Sequence, residues 1–463
     1  MMGAVHGPGD PQRARQLAEE LAGRGVVAVA LSWVDNAGIS RVKTVPVGRL
    51  ADAVVAGVGM SPVFDVFVVD DSITTSAHIG GPVGDLRLYP DLDVLTALAG
   101  QPGWAWAPAD RFTQEGEPHA ACQRRFAADM TEQAAARGLE FRMAFEVEWF
   151  VGRAGGGGHD GGGGDGTTPA CTGPAYGMTR VVELSDYGRE LLVVLEEQGV
   201  PVDQFHPEYA AGQLELSVSA ADPVGAADRV VLVKETIRAV SQEHGLRASF
   251  APVVVAGQVG NGGHLHLSAW SEGRNLFTGG DRPYGLTARG ESILAGLLDA
   301  LPALCAIGTP SVASYLRLKP QRWAGPWQCW GWENREAALR LVTGTAGTEA
   351  TAANAEIKCF DASANPYLVV GAVAAVAAAT ADEGRVLPDE VSVDPALLPP
   401  DGQPPCLPQS VSEAVDHLEK DGRFRAAMGA ALFEAFVAVR RAEAELFAGW
   451  SDDEIAAATR WRY

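Results

Sequence analysis

The chain has 463 residues, 47% hydrophobic and 20% charged, which excludes a disordered protein and provides for a large core. Its 36 Lys and Arg against 58 Asp and Glu give a net charge of -22, so nucleic acid and membranes, which present anionic surfaces, are not expected partners. The carboxylate excess favours solubility and, where acids converge, divalent cations.

Leu17 and Leu21, four apart among charges, predict a short amphipathic helix over residues 11–24 that stops near Gly23 and Gly25. A hairpin follows: Val26 to Val34 is apolar and β-branched, Asp35-Asn36-Ala37-Gly38 is a turn cluster, and Ser40 to Val45 is a half-polar strand ending at Pro46. Residues 87–122, rich in Pro, Gly, Asp and Trp with little periodicity, read as the junction between two domains, 1–120 and 121–463. The second domain opens with a helix over 124–137 and an alternating strand over 140–151. Ten glycines in 152–166 predict a mobile loop, and this run lacks the Lys-Ser/Thr of a phosphate-binding loop. Helices over 186–198 and 223–245 and strands near 213–219, 248–255 and 263–270 make the domain α+β. The Ala-rich run 367–379, introduced by Asn365-Pro366, is short of the ~20 residues of a bilayer span and reads as a buried helix. Six scattered cysteines without a CxxC pair, and no export signal at the N-terminus, point to the cytoplasm.

Five segments carry chemistry. In Phe145-Glu146-Val147-Glu148-Trp149 the strand period of two puts Glu146 and Glu148 on one face, which a solvated edge strand explains as well as a site. In His206-Pro207-Glu208 to Glu215 a small-residue turn folds Glu208 back beside Glu215, or forms a surface loop. Gly260-Asn261-Gly262-Gly263-His264-Leu265-His266-Leu267-Ser268 puts His264, His266 and Ser268 on one face behind glycines that admit a ligand; hydrogen-bonded core histidines are the plainer alternative. Arg317, Lys319, Arg322, Arg335 and Arg340 form a local cationic excess suited to anions, or an exposed basic strand pair. Glu356 and Lys358 again share a face ahead of Asn365-Pro366-Tyr367.

In order and spacing these segments resemble the glutamine synthetases and the wider γ-glutamyl amine ligases. The resemblance implies an α+β fold, with a small N-terminal β-grasp domain and a catalytic domain built on a curved antiparallel sheet. It implies that Glu148, Glu208 and Glu215 hold one Mg²⁺ or Mn²⁺ and that Glu146, His264 and Glu356 hold another. Arg317, with the backbone of Gly260, corresponds to the clamp on the amino acid's carboxylate; Arg335 and Arg340 face the transferring phosphoryl and ATP phosphates; His266 and Ser268 contact the nucleotide. The implied reaction has the γ-carboxylate of glutamate attack the γ-phosphate of ATP, after which an amine displaces phosphate. Family active sites form between subunits, commonly in two stacked six-membered rings, so a ring is expected here.

The pattern breaks on the amine side. The family's Pro-Gly-Tyr-Glu flap corresponds to Pro320-Gln321-Arg322-Trp323, which puts Trp323 where an acid binds ammonium. The Asp-Gly-Ser-Ser motif corresponds to Asp65-Val66-Phe67-Val68, so Asp65, expected as a catalytic acid reaching a neighbouring subunit, and Tyr176 are what survive of the ammonium cage. Lys358 replaces an arginine two residues after the last metal acid, and Thr351 replaces another basic residue. Trp323, Trp327, Trp330 and Trp332 form either an aromatic wall for an alkylammonium or a packed subunit interface. The expected acceptor is therefore an organic amine, such as a polyamine, ethanolamine or another monoamine. The alternatives are an ammonia-using glutamine synthetase with a rearranged flap and a catalytically silent structural or regulatory member.

Overall fold

The structure, a computed structural model, describes residues 7, 9–154 and 166–463. Most of the expected glycine-rich loop therefore lies outside the described residues.

The first unit is a six-stranded sheet of β1 (Ala28–Val34), β2 (Ser40–Pro46), β3 (Val58–Met60), β4 (Leu86–Pro90), β5 (Thr96–Ala97) and β6 (Trp104–Thr113), in the order β2-β1-β6-β4-β3 with β5 on β6. Helices Pro11–Gly23 and Leu50–Ala56 contribute Ala14, Leu21, Leu50, Ala53 and Val54 to a core shared with Val29, Leu31, Leu88 and Ala107. This is the expected β-grasp, with β1 and β6 running parallel at its centre. Residues 87–122 are not an irregular junction, because they hold β4, β5 and the long β6. Pro108 and three alanines hide β6 from a pattern search. The proline is tolerated because it sits where β6 changes partner, Ser32↔Pro108 on β1 giving way to Pro90↔Ala109 on β4.

The second unit has nine strands: β7 (Glu140–Arg153), β8 (Val202–Pro207), β9 (Gln213–Val218), β10 (Leu246–Ser249), β11 (Gly263–Ser271), β12 (Arg274–Asn275), β13 (Trp327–Trp332), β14 (Ala337–Val342) and β15 (Asn354–Ile357). They follow the order β13-β14-β15-β11-β7-β9-β8, with β10 on β7 and β12 on β11, antiparallel except for the β13/β14 pair. The strand expected over 248–255 stops at Ser249, where Asn261 Nδ2 donates to the carbonyls of Ser249 and Ala251 in place of a ladder. Along β7 the apolar Phe141, Met143, Phe145, Val147 and Trp149 are buried in the main core, with helices Gln123–Ala135, Pro223–Glu243 and Pro366–Thr380. Glu146 and Glu148 therefore face the opposite side of the sheet.

Pro366–Thr380 is the buried helix expected from the sequence, with Asn365 capping it through Tyr367 and Leu368 N–H. Ala288–Gly308, which the sequence reading missed, is the one described helix long and apolar enough to cross a bilayer. It instead packs in the core against Pro366–Thr380 and Val411–Lys420. Uniformly apolar helices carry no amphipathic period, and so escape a search for one.

A buried arginine network helps to join the two units. Arg124, on the first turn of helix Gln123–Ala135, forms two bonds to Asp228 (2.9 and 2.8 Å) and one each to Asp110 (2.8 Å) and Asp91 (2.7 Å). Asp91 and Asp110 belong to the first unit and Asp228 to helix Pro223–Glu243, whose carboxylate also accepts from Tyr367 (2.7 Å). Removing one partner of such a buried network strands the others. Arg124→Met is expected to destabilise the fold by about 3–5 kcal/mol, read as a fall in the midpoint of denaturant unfolding; an unchanged midpoint contradicts this role.

Candidate active site

Strand register builds the site, because residues opposite one another on neighbouring strands hold their side chains side by side. Glu146 on β7 faces His264 on β11, Glu148 faces Glu215 on β9, and Glu215 faces His206 on β8. Glu356 on β15 lies between His266 on β11 and Arg340 on β14. The β8–β9 hairpin brings Glu208 back beside Glu215, as expected, with His206 bridging them at 3.6 Å and 3.1 Å. These side chains line or underlie one cavity of about 890 Å³, together with Gly260, Arg317, Arg335, Lys358, Tyr176 and Trp323.

Two donor clusters meet here. In the deeper one His264 Nδ1 is 2.8 Å from Glu146 and 3.2 Å from Glu356. In the outer one His206, Glu208 and Glu215 converge, and within each cluster the donor atoms lie within 4.8 Å of one another. Mixed carboxylate and imidazole donors suit a divalent ion. His266 Nε2 adds a buried nitrogen without a hydrogen bond among the described residues, 3.6 Å from Glu146 Oε2. Glu148 is drawn toward the glycine turn instead, accepting from Gln213 Nε2 (2.8 Å) and Gly262 N–H (2.9 Å).

The protonation pattern follows from this crowding. Burial and the neighbouring Glu146, Glu148 and Glu208 push Glu215 up to about 7. Its hydrogen bond raises His206 to about 9. Burial opposes charge on His266, but Glu146 and Glu356 outweigh it and raise the imidazole to about 9. Glu356 is fully buried, yet Lys358 and the two histidines hold its carboxyl well below the usual range.

Arg317 closes the floor, donating to the carbonyls of Cys359 (3.0 Å) and Lys358 (3.3 Å) and to His264 Nε2 (3.0 Å). Only glycine fits at 260, since a Cβ would strike Pro252 O and sit 3.0 Å from Arg317 Cγ. Lys358 Nζ and Arg340 each bond Glu356 at 3.0 Å, and Arg340 also bonds Glu333. Tyr176 donates to Glu208 (2.8 Å).

Three expectations are corrected. Asp65 is fully buried within its own chain, its oxygens paired with Arg111 (2.6 Å) and His119 (2.9 Å), so it presents no free acid to a neighbour. Ser268 does not line the cavity, and its Oγ accepts from Trp270 Nε1 (2.8 Å). The tryptophans form no wall: Trp327 and Trp330 are buried, Trp332 stacks on Tyr284 (5.3 Å), and Trp323 alone of the four reaches the cavity. His206 and Gln213 were given no role from sequence, although His206 precedes Glu208 by two, the same strand period that paired Glu146 with Glu148. A second cavity of about 230 Å³ lies on the reverse face of β7, lined by Phe145, Val147 and Lys234, and shares none of the two clusters.

Residues 15–116 match the model of the glutamine synthetase N-terminal domain, and residues 120–456 match that of the glutamine synthetase catalytic domain. The chain belongs to the glutamine synthetase family. It is 54% identical over 461 residues, 98% of each chain, to the gamma-glutamylpolyamine synthetase GlnA3 of Streptomyces coelicolor. It is 28% identical to the glutamine synthetase of Pyrococcus abyssi, over 90% of each chain. Among solved structures, a novel glutamine synthase homolog superposes with a TM-score of 0.83 at 31% identity, covering 95% of this chain and 99% of that one. GmaS in complex with ADP gives 0.81 at 28% identity, over 94% and 96%.

Family members generally use divalent metals and ATP, and the two clusters have the donors for the former. Electron paramagnetic resonance with Mn²⁺ is expected to count two ions per chain, and His264→Ala to remove one. Two tightly bound ions in that variant would contradict the deeper cluster's assignment.

Proposed function

We propose that this chain is an ATP-dependent ligase that joins the γ-carboxylate of glutamate to an organic amine, with polyamines the acceptor class best supported. The observation that carries this reading is Trp323, 56% exposed, at the rim of a cavity whose acids, histidines and arginines otherwise fit the family's reaction. The 54% identity to a protein named gamma-glutamylpolyamine synthetase supports it.

In this reading Glu146, His264 and Glu356 hold one Mg²⁺ or Mn²⁺, and Glu148, Glu208 and Glu215 hold a second with His206 in reach. The ions supply neutralisation of the phosphoryl oxygens. Arg335 and Arg340 bind the transferring phosphoryl and the ATP phosphates, and His266, which does not line the cavity, lies across Glu356 from Arg340 and supports the same end from behind. Arg317, Lys358 and the backbone at Gly260 hold the amino acid, so that its γ-carboxylate attacks the γ-phosphorus of ATP in line and an acyl phosphate forms as ADP leaves. The amine enters past Trp323 and Tyr176, gives up its ammonium proton to water, and as the free amine attacks the acyl carbon and displaces phosphate. Asp65 has no part in this scheme.

The boundary between the two units is placed at 120/121, supported by the end of β6 at Thr113 and the start of a helix at Gln123. Action in the cytoplasm and self-association into rings, a dodecamer in the family's usual form, complete the proposal.

Phosphate release with ATP, glutamate and Mg²⁺ against a panel of putrescine-like polyamines, ethanolamine, methylamine and ammonium tests the reading. Organic amines are expected to drive turnover, and turnover with ammonium alone overturns it. Cation–π contact and burial at ~1–2 kcal/mol give Trp323→Ala an expected ~5–30-fold rise in amine KM, with glutamate KM unchanged.

A further inference from the structure

We infer that Glu336 is a positioning residue for the amine side of the site: its buried carboxylate fixes the loop that presents Trp323 at the cavity mouth. This rests on the ligase reading above and adds to it a device behind the rim.

The loop runs from the helix Ser314–Arg317 to β13, and two of its residues have left-handed backbone, Gln321 at φ 60° and Trp323 at φ 53°. Neither is glycine, and a bulky side chain rarely adopts this conformation unless its surroundings dictate it. Alternate N–H groups of such a segment point to one side and form a concavity for an anion. Here the anion is supplied by the chain itself: Glu336 Oε1 accepts from Trp323 N–H (2.7 Å) and Oε2 from Gln321 N–H (3.2 Å). Between them Arg322 donates to the carbonyl of Gly257 (3.0 Å), which ties the loop to the segment leading to Gly260.

Glu336 is itself held. It is 5% exposed, its N–H donates to Asn334 Oδ1 (3.0 Å), and Asn334 Nδ2 donates to the carbonyls of Val391 (2.7 Å) and Val393 (3.0 Å). Among the described residues the Trp323 ring has no stacking or hydrogen-bonding partner and is 56% exposed, so the backbone held by Glu336 is the hydrogen-bonded anchor from which the indole projects. A carboxylate that fixes this backbone therefore sets the point from which the indole reaches toward the entering amine. Burial raises the carboxyl of Glu336, and the backbone bonds from Trp323 and Gln321 oppose that rise.

The test compares Glu336→Ala, which removes both acceptors, with Glu336→Gln, which keeps the shape and one acceptor, in steady-state assays with the best organic amine. Amine KM is expected to rise about tenfold in Glu336→Ala and about threefold in Glu336→Gln, with the KM values of glutamate and ATP within twofold of the parent. In a Trp323→Ala background Glu336→Ala is expected to add less than twofold, because both changes remove the same placement. If Glu336→Ala does not fold, the Glu336→Gln comparison alone carries the test. Organic-amine turnover in the parent with amine KM unchanged in Glu336→Gln, or effects that multiply in the double variant, overturns this inference and leaves the ligase reading standing. Parent turnover with ammonium alone overturns both.

Discussion

Four carboxylates, Glu146, Glu148, Glu215 and Glu356, share one face of one sheet, Glu208 joins them from the turn after β8, and much of the surrounding architecture offsets their repulsion. Two like charges 4 Å apart cost about 4 kcal/mol at an effective dielectric of 20. The chain offsets part of this by interleaving bases: His264 and His266 beside Glu146, Lys358 and Arg340 on Glu356, His206 between Glu208 and Glu215. Burial and three neighbouring acids push Glu215 up to about 7 despite His206, whereas Lys358 and the two histidines hold Glu356 well below the usual carboxylate range. Such a face is costly in an ordinary fold and suits one that binds cations.

A charged face of this kind has to be rigid, because the ligand atoms converge only if the strands keep register. The opposite face of β7 supplies the rigidity, with Phe145, Val147 and Trp149 packed into the core under helices Pro223–Glu243 and Pro366–Thr380. A slip of one residue would exchange the acids with these apolar side chains, so burying one face fixes the placement of the other. Arg124 extends the same rigidity to the first unit by gathering Asp91, Asp110 and Asp228 around one guanidinium. Asp65 and Arg111 form a comparable buried pair inside the first unit. An acid matched to a motif by sequence alone can thus be a structural counter-ion: Asp65 lies outside both donor clusters and spends both oxygens on Arg111 and His119.

Local signals carried the parts of the molecule that depend on a period. Glu146 and Glu148, His264 and His266, and the Asn365-Pro366 helix start were legible because alternation and capping act over a few residues. The resemblance joined segments as far apart as Glu146 and Glu356, which no local rule connects. What stayed hidden depends on tertiary context. β6 was obscured by Pro108, acceptable only because its partners change there, and the helix Ala288–Gly308 by its lack of a polar face. The tryptophan cluster misled for a related reason: four rings near one another in sequence go to the core, to an outer stack on Tyr284 and to the rim.

The amine side shows how one corner of the fold serves both halves of the reaction. Asn334-Arg335-Glu336 presents Arg335 to the cavity and, one residue on, offers Glu336 to the loop bearing Trp323. An ammonium ion has no apolar part, and its recognition calls for acids and carbonyls that replace every lost water. An alkylammonium carries methylenes that gain from burial against an indole while its charge lies over the ring face. Replacing a rim acid with tryptophan therefore removes what the smaller cation requires and adds what the larger one can use. Placing an acid beneath the loop, where it meets backbone N–H groups instead of solvent, keeps the rim in position without restoring a carboxylate that would hold ammonium.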